Sequence, residues 1–143
     1  MLTVLVAIDG SENSLRALRH LLSITDSKQL HVHLLSVADP VRMREVALRS
    51  TLTQTRAVEE AHEQDALELL QGARAILTQG GVSHDVHAKV GPAAETIVSF
   101  ARDYHCQLIA MGTRGMGAMA SFMIGSVANR VVHLTDLPVL LVK

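Results

Sequence analysis

The sequence has very little cysteine and very few aromatic residues. Cys106 is the single cysteine among 143 residues, which excludes an internal disulfide and a zinc site built from cysteines. Such sparse cysteine indicates a reducing compartment. Aromatic residues make up 2% of the chain and tryptophan is absent, so the chain lacks the stacking platforms on which single-stranded nucleic acids bind.

A surplus of positive charge and long apolar runs are lacking as well. Lys and Arg number 13 against 14 Asp and Glu, which excludes a strongly basic nucleic-acid-binding protein. The first nine residues have no basic start and too short an apolar run for a signal peptide. No stretch approaches the roughly 18 apolar residues of a membrane span. We therefore expect a cytoplasmic protein, with residues 1–143 forming a single domain around one core.

Segments rich in β-branched residues alternate with segments of helical period, which is typical of α/β proteins with a parallel sheet. Five strands are predicted, over residues 3–8, 31–37, 83–90, 107–111 and 138–142. Helices are predicted to begin after Ser11, near Val58, after Gly91-Pro92 and at Ser126. The sequence thus predicts an α/β fold, a five-stranded parallel sheet with helices on both faces.

The apolar positions of the predicted helices define the faces that should be buried. They are Leu15, Leu18 and Leu22 in the first helix, Ala94, Ile97, Val98 and Ala101 in the third, and Val127, Val131 and Leu134 in the last. The second helix should end at Gly80 and Gly81. Between residues 41 and 55 the period is weak, and we predict a loop with an irregular helical extension.

A glycine-rich loop between the fourth strand and the last helix is the most informative segment. It consists of Gly112-Thr113-Arg114-Gly115, nine further residues, and Gly125-Ser126. Glycines let backbone N–H groups approach an anion closely, and the start of a helix adds further N–H groups and the positive end of its dipole. Such a loop can hold a di- or triphosphate without a lysine, although glycines can also serve only to make turns.

The spacing of this loop resembles the nucleotide-binding motif of the universal stress protein family. The resemblance extends over essentially the whole chain. The other segments that carry it are Val6-Ala7-Ile8-Asp9-Gly10-Ser11, Val90-Gly91-Pro92-Ala93 with Ile97, Val127-Ala128, and Pro138-Val139-Leu140-Leu141-Val142. It implies a five-stranded parallel sheet of the Rossmann-like, three-layer type, with ATP bound at the carboxyl edge.

The resemblance also implies a role for individual residues. Asp9 falls near the ribose and adenine, while Ala7, Val37 and Met111 line the adenine pocket. The ribose and phosphate positions fall on Gly112, Gly115, Gly125, Ser126 and Val127, and Arg114 could reach phosphate oxygens or be solvated. Some ATP-binding members have proline where this chain has Ala7, a change expected to alter the packing and to keep the pocket. Mg or Mn bound through the phosphates is expected to accompany ATP.

Other sequence patterns would indicate a different kind of site. Residues 115–120 fit the dinucleotide pattern G-x-G-x-x-A, but no acidic residue follows at the end of a next strand. The P-loop and G-x-S-x-G patterns do not occur. The chain contains eight histidines, of which His31 and His33 should share one strand face, whereas His84 and His87 should lie on opposite faces. No cysteine or carboxylate clusters with them at a spacing that would complete a metal site. We therefore predict that the histidines lie at the surface or at the edge of the sheet. Cys106 is predicted to be an inert, half-buried thiol.

Three functions are therefore compared: a nucleotide-dependent stress-response sensor or binding module, a slow ATPase or phosphotransferase, and a scaffold that has lost its nucleotide. Phosphoryl transfer needs metal ligands and a cation at the γ-phosphate, whereas the loop offers Arg114 and Ser126 and no evident base. This favours binding over turnover, and the intact glycines argue against the scaffold. The apolar strand from Pro138 to Val142 would be an exposed edge in a monomer. Because the resemblance implies pairing through it, a homodimer is predicted, with an unknown protein partner.

Overall fold

A computed structural model describes residues 1–41, 67–68, 70–114 and 123–143. In these ranges five strands form one sheet: β1 (Leu2–Ala7), β2 (Leu30–Ala38), β3 (Ser83–Val90), β4 (Leu108–Gly112) and β5 (Val139–Val142). The helices are α1 (Glu12–Ile24), α2 (described over residues 70–79), α3 (Ala93–Asp103) and α4 (Ser126–Leu134), with a short 3-10 helix at Ser27–Gln29. The predicted α/β architecture is confirmed.

The sheet is parallel throughout, in the order β3-β2-β1-β4-β5. From β1 the chain winds outward to β2 and β3, and then crosses back to β4 and β5 on the other side of β1. The direction of winding therefore reverses between β1 and β4. In open parallel sheets this reversal leaves a crevice at the carboxyl ends of the two strands, where ligands bind.

Side chains of the central strand alternate between two cores, one on each face of the sheet. Val4, Val6 and Ile8 pack with α1 and α2, whereas Leu5 and Ala7 pack with α3 and α4. Burial on both faces explains why β1 is an almost continuous apolar run. The first core is completed by Leu18, Leu21, Leu30, Val32, Leu34, Leu70, Ala73, Leu77, Val82 and Ala110, and the second by Leu35, Ala94, Ile97, Phe100, Ala101, Cys106, Ile109, Met111, Ala128 and Val131.

The signals that start and stop the helices act as predicted. Ser11 caps α1, because its Oγ accepts a hydrogen bond of 3.2 Å from the Ser14 N–H. At the end of α2, Gly81 has a φ of +65, and the N–H of the next residue, Val82, bonds back to the Leu77 carbonyl at 3.0 Å. A left-handed residue followed by such a bond is the usual way in which a glycine ends a helix.

The predicted face of the last helix is wrong at its end. Leu134 is 43% exposed, and the buried residues of α4 are Ala128 and Val131. Leu134 is the final residue of the helix, three residues beyond the last buried position. The loop predicted between residues 41 and 55 and the helix start near Val58 lie outside the described residues. No helix in the described ranges combines the length and the apolar character that crossing a membrane requires.

The end of β4 packs directly against the start of α1. A Cβ added to Gly112 would lie 2.8 Å from the Asn13 Cβ and 2.9 Å from its carbonyl carbon. Atoms do not approach so closely without a shift of strand or helix, so a glycine is needed here for packing, whatever else it does.

We predict that Gly112→Ala lowers the free energy of unfolding by about 1–3 kcal/mol, the usual cost of overpacking. Gly72→Ala is the matched control, because nothing lies within 4 Å of its added Cβ in α2. That change should leave stability unchanged or raise it by up to ~1 kcal/mol. Denaturant unfolding followed by circular dichroism measures both, and a Gly112→Ala protein as stable as the parent would contradict the packing described.

Candidate functional site

The candidate site lies where the carboxyl ends of β1 and β4 meet. Asp9 follows β1 by two residues, and Gly112 is the last residue of β4. Val37 lies near the end of β2, the strand on the other side of β1. The topology thus places the three strand ends singled out from the sequence at one edge, beside the reversal point.

A tight turn after β1 connects this edge to α1. The Asp9 Oδ1 accepts hydrogen bonds from the Ser11 N–H at 2.9 Å and from the Ser11 hydroxyl at 2.5 Å. The same hydroxyl oxygen caps α1 and lies 3.4 Å from the Arg114 carbonyl oxygen. Ser11 therefore holds the exposed Asp9 carboxylate in place and joins it to the first residues of the glycine-rich loop. The sequence analysis assigned Ser11 only a capping role.

Two backbone hydrogen bonds bring the ends of the glycine-rich loop together. The Thr113 N–H donates to the Val142 carbonyl at 2.9 Å, and the Gly125 N–H donates to the Thr113 carbonyl at 2.6 Å. The strand end and the helix start are separated by twelve residues in the sequence and by one hydrogen bond in the fold. Arg114 is half-buried beside this junction. Gly115, the middle glycine of the motif, lies outside the described residues.

The start of α4 suits an anion. Gly125 is its N-cap residue and provides no capping side chain, and the first turn contains no acidic residue. The positive end of the helix dipole therefore faces this edge without a compensating carboxylate from its own first turn. Gly125 has φ -64 and ψ 160, an extended conformation that residues other than glycine also adopt. Its backbone conformation therefore does not require a glycine, and its place in the motif is explained by the close approach that a missing Cβ allows.

The three residues predicted to line an adenine pocket belong to one cluster. Ala7 and Met111 are buried in the core beneath α3 and α4, and Val37 packs against the same cluster while half-buried. These side chains come from the ends of β1, β4 and β2, respectively. The apolar floor of the predicted adenine site thus consists of two buried side chains and of Val37, the most exposed of the three.

An open cleft of about 490 Å³ adjoins the start of α4. Ser126 and Val127 lie on one wall, and the ends of β2 and β3 and the start of α3 form the other. Its lining residues are Asp39, Pro40, Val41, Gly91, Pro92, Ala93, Ala94, Glu95, Ser126, Val127 and Arg130. Most of them were missed as site residues, although the turn at Gly91-Pro92 was noted in the sequence.

The charged side chains of this cleft, Asp39, Glu95 and Arg130, all have partners within the protein. The Asp39 carboxylate accepts hydrogen bonds from the Val41 N–H at 3.0 Å and the Ala93 N–H at 3.4 Å. Arg130 forms an ion pair with Glu95. The Glu95 pKa is lowered, first by a hydrogen bond from its own backbone and then by the Arg130 side chain. Arg130, which belongs to α4, is therefore paired with Glu95 of α3. The first turn of α4 contains no acidic residue.

Cys106 is buried in the second core, between α3 and β4. Burial raises the pKa of its thiol to about 11, so the thiolate is scarcely populated at neutral pH. Cys106 is thus buried rather than half-buried as predicted, and its raised pKa agrees with the predicted inert thiol.

The histidines are arranged differently from the prediction. His31 and His33 share one face of β2 as predicted, but Asp85 of β3 lies beside them, so the expectation that no carboxylate joins them is wrong. His33 is buried rather than on the surface. Burial, together with repulsion from His31 and His87, lowers the His33 pKa. His33 and Asp85 are 52 residues apart in the sequence and meet because of the register in which β2 pairs with β3. The spacing of residues within one segment does not reveal that register.

Comparison with known proteins identifies the family. The sequence profile of the Universal stress protein family matches residues 1–143, and the chain belongs to that family. Universal stress protein YxiE of Bacillus subtilis is 29% identical over 148 residues, which cover 98% of this chain and 97% of that protein. The solved structure of hypothetical protein MJ0577 has a TM-score of 0.83 and 26% identity, covering 99% of this chain and 95% of the other.

Nucleotides are bound in two further solved structures that resemble this chain. The universal stress protein from Archaeoglobus fulgidus in complex with dAMP has a TM-score of 0.71 and 22% identity, covering 100% of this chain and 98% of the other. A universal stress protein in complex with cAMP has a TM-score of 0.67 and 22% identity, covering 99% and 96%. At this identity the likeness establishes the fold, and the nucleotides are properties of those two proteins.

Proposed function

We propose that this protein binds ATP at the carboxyl edge of the sheet and acts as a nucleotide-dependent sensor or binding module of the stress response. The observation that carries the proposal is the hydrogen bond between the Gly125 N–H and the Thr113 carbonyl. It joins both described ends of the glycine-rich loop beside the Asp9 turn. An anion at the start of α4 would therefore lie next to a carboxylate and an apolar floor, the arrangement that a nucleotide needs.

Each part of this edge fits one part of the ligand. The N–H groups of Ser126 and Val127 would face the phosphates, while that of Gly125 bonds the Thr113 carbonyl, and Arg114 would add a positive charge. Asp9 would accept hydrogen bonds from the ribose. Mg or Mn would be held through the phosphates rather than by protein side chains.

The adenine would lie on the apolar floor formed by Ala7, Val37 and Met111, which are brought together in one cluster. The complexes of related folds with dAMP and cAMP support an adenine nucleotide as the ligand. We propose ATP because the chain keeps the glycine pattern, at Gly112, Gly115, Gly125 and Ser126, that marks the ATP-binding branch of the family. A cytoplasmic location stays a prediction.

Catalysis is the alternative function, and the described residues favour it less. Phosphoryl transfer requires a base or a water-positioning group and a cation at the γ-phosphate. Asp9 is held by Ser11 at the opposite end of the proposed nucleotide, and Arg130 is paired with Glu95. We therefore propose binding with at most slow hydrolysis.

Calorimetric titration with ATP should separate the contributions of the site. Ser126→Ala should weaken binding roughly ten- to hundredfold, because one hydrogen bond to a charged phosphate is worth about 1.5–3 kcal/mol. Gly125→Val should abolish measurable binding, because its side chain blocks the approach of phosphate. Valine accepts φ -64 and ψ 160, so the variant should fold. Asp9→Ala should weaken binding and blunt discrimination among nucleosides.

The chain offers matched controls for these variants. Ser23→Ala removes an exposed hydroxyl that bonds the His20 carbonyl on α1, and Gly72→Val adds a side chain into open space on α2. Both should bind ATP like the parent. If a folded Gly125→Val protein binds ATP as tightly as the parent, the site is assigned wrongly.

Hydrolysis of Mg-ATP should be far slower than the ~1–100 s⁻¹ of kinases, because the Asp9 carboxylate is held by Ser11 at the ribose end of the proposed nucleotide rather than at the γ-phosphate. Release of labelled phosphate, measured after stringent purification, tests this expectation. A turnover within the kinase range that is lost in Gly125→Val would show that the protein is an enzyme and would contradict the proposed sensor function.

We further propose a homodimer formed through the terminal strand. β5 lies at the edge of the sheet, and its residues Val139, Leu140, Leu141 and Val142 are half-buried. An uncovered apolar edge strand tends to pair with another chain. Two copies of the strand from Pro138 to Val142, related by a two-fold axis, would satisfy each other's backbone groups.

Sedimentation equilibrium at micromolar concentration should give about 31 kDa, twice the 15.4 kDa of one chain. A mass of one chain, unchanged up to high concentration, would contradict the dimer.

A further inference from the structure

Three histidines and one aspartate meet on the outer part of the sheet, away from the nucleotide edge. Parallel pairing of β2 with β3 sets His33 opposite Asp85, and His31 and His87 each lie two residues from this pair along their strands. Because side chains alternate along a strand, all four lie on the same face. His33 is four residues from Val37, roughly 13 Å along β2. This cluster, His31, His33, Asp85 and His87, is therefore separate from the proposed ATP site.

Three residues of the cluster, His31, His33 and Asp85, each offer a donor atom, and these atoms lie within 4.8 Å of one another, as the ligands of one metal ion do. The Asp85 Oδ2 lies 3.1 Å from the His31 Nε2 and 3.8 Å from the His33 Nδ1. The His33 Nδ1 in turn lies 3.2 Å from the His87 Nε2. Zinc binds imidazole nitrogen and carboxylate oxygen at about 2.0–2.1 Å, so two ligands of a tetrahedral ion are about 3.3–3.4 Å apart.

The surroundings hold the ligand side chains in position. The His31 Nδ1 lies 2.8 Å from the Ser83 hydroxyl, which leaves its other nitrogen directed at Asp85. Such outer hydrogen bonds orient metal-binding histidines. The stacked rings of Phe100 and Tyr104 lie against His33 and His87, with centroid distances of 4.7–5.9 Å. This aromatic wall restricts the motion of both imidazoles.

We propose that His31, His33 and Asp85 bind a Zn²⁺ ion. Imidazole nitrogens with one carboxylate suit zinc and its neighbours among the transition metals, whereas Mg²⁺ and Ca²⁺ prefer oxygen ligands. Three protein donors leave the fourth position of a tetrahedral ion to water or another ligand, and His87 lies beside the site against His33. The ion would fasten the edge strand β3 to β2.

Zinc titration of the full chain, stripped of metal with a chelator and free of nucleotide, tests the proposal. Calorimetry should show one saturable Zn²⁺ per chain, unaffected by excess Mg²⁺, and bound zinc should raise the melting temperature. Co²⁺ in place of Zn²⁺ should give the intense visible absorption of a four-coordinate ion.

Variants locate the ion within the fold. Asp85→Asn and His31→Gln change exposed or half-buried side chains and should each weaken zinc binding roughly hundredfold or more. His33→Gln should do the same if the buried change is tolerated, and circular dichroism checks that each protein is folded. His84→Gln is the matched control, because His84 neighbours Asp85 in sequence and its Nδ1 bonds the Val82 carbonyl instead. It should bind zinc like the parent.

The absence of saturable zinc binding would overturn the proposal, and so would binding that survives both Asp85→Asn and His31→Gln. In either case the four residues form a hydrogen-bonded cluster without metal. ATP binding should be unchanged in these variants, so failure of the zinc site and failure of the nucleotide site are distinguishable.

Discussion

The fold depends on the complete burial of its central strand. From Val4 to Ile8 every residue of the first strand and its extension is at most 8% exposed, because helices cover both faces of the sheet. A strand buried in this way must have hydrogen-bonded neighbours on both sides, and β2 and β4 fill those positions. Since the chain reaches β2 and β4 by winding in opposite directions, the winding reverses beside Asp9, where a parallel sheet of this kind is expected to bind its ligand. The position of the candidate site is thus a consequence of how the core is built.

The sequence was sufficient for the strands and helices that the structure describes, whereas the nucleotide-binding roles of the site residues stay a prediction. Continuous apolar runs mark strands buried on both faces, and Ser11 and Gly81 mark helix ends because their local chemistry is independent of tertiary contacts. The face of α4 was predicted less well, because Leu134 fits the helical period but is exposed at the last residue of the helix. Gly112 has a role that the motif did not suggest, since it leaves space for Asn13. A single substitution therefore cannot separate a role in nucleotide binding from its need in packing.

Contacts between segments that are distant in the chain could not be predicted from the sequence. Asp85 meets His31 and His33 only because β3 pairs with β2 in one particular register, and a shift by one residue would send it to the opposite face. The junction of Thr113 with Gly125 is likewise a tertiary contact, although both residues belonged to the predicted motif. β2 thus contributes residues to both proposed sites. Val37, near its carboxyl end, belongs to the proposed nucleotide site, and His31 and His33, near its start, belong to the proposed zinc site.

The central claim is that ATP binds where the strand end at Thr113 meets the helix start at Gly125. Backbone amide resonances, followed by NMR during titration of the ¹⁵N-labelled chain with Mg-ATP, test it most directly. The account predicts large shifts for Thr113, Arg114, Gly125, Ser126 and Val127, with those of Ser83 to His87 unchanged. Shifts absent from the first group would contradict the account, whether ATP failed to bind or perturbed another part of the chain.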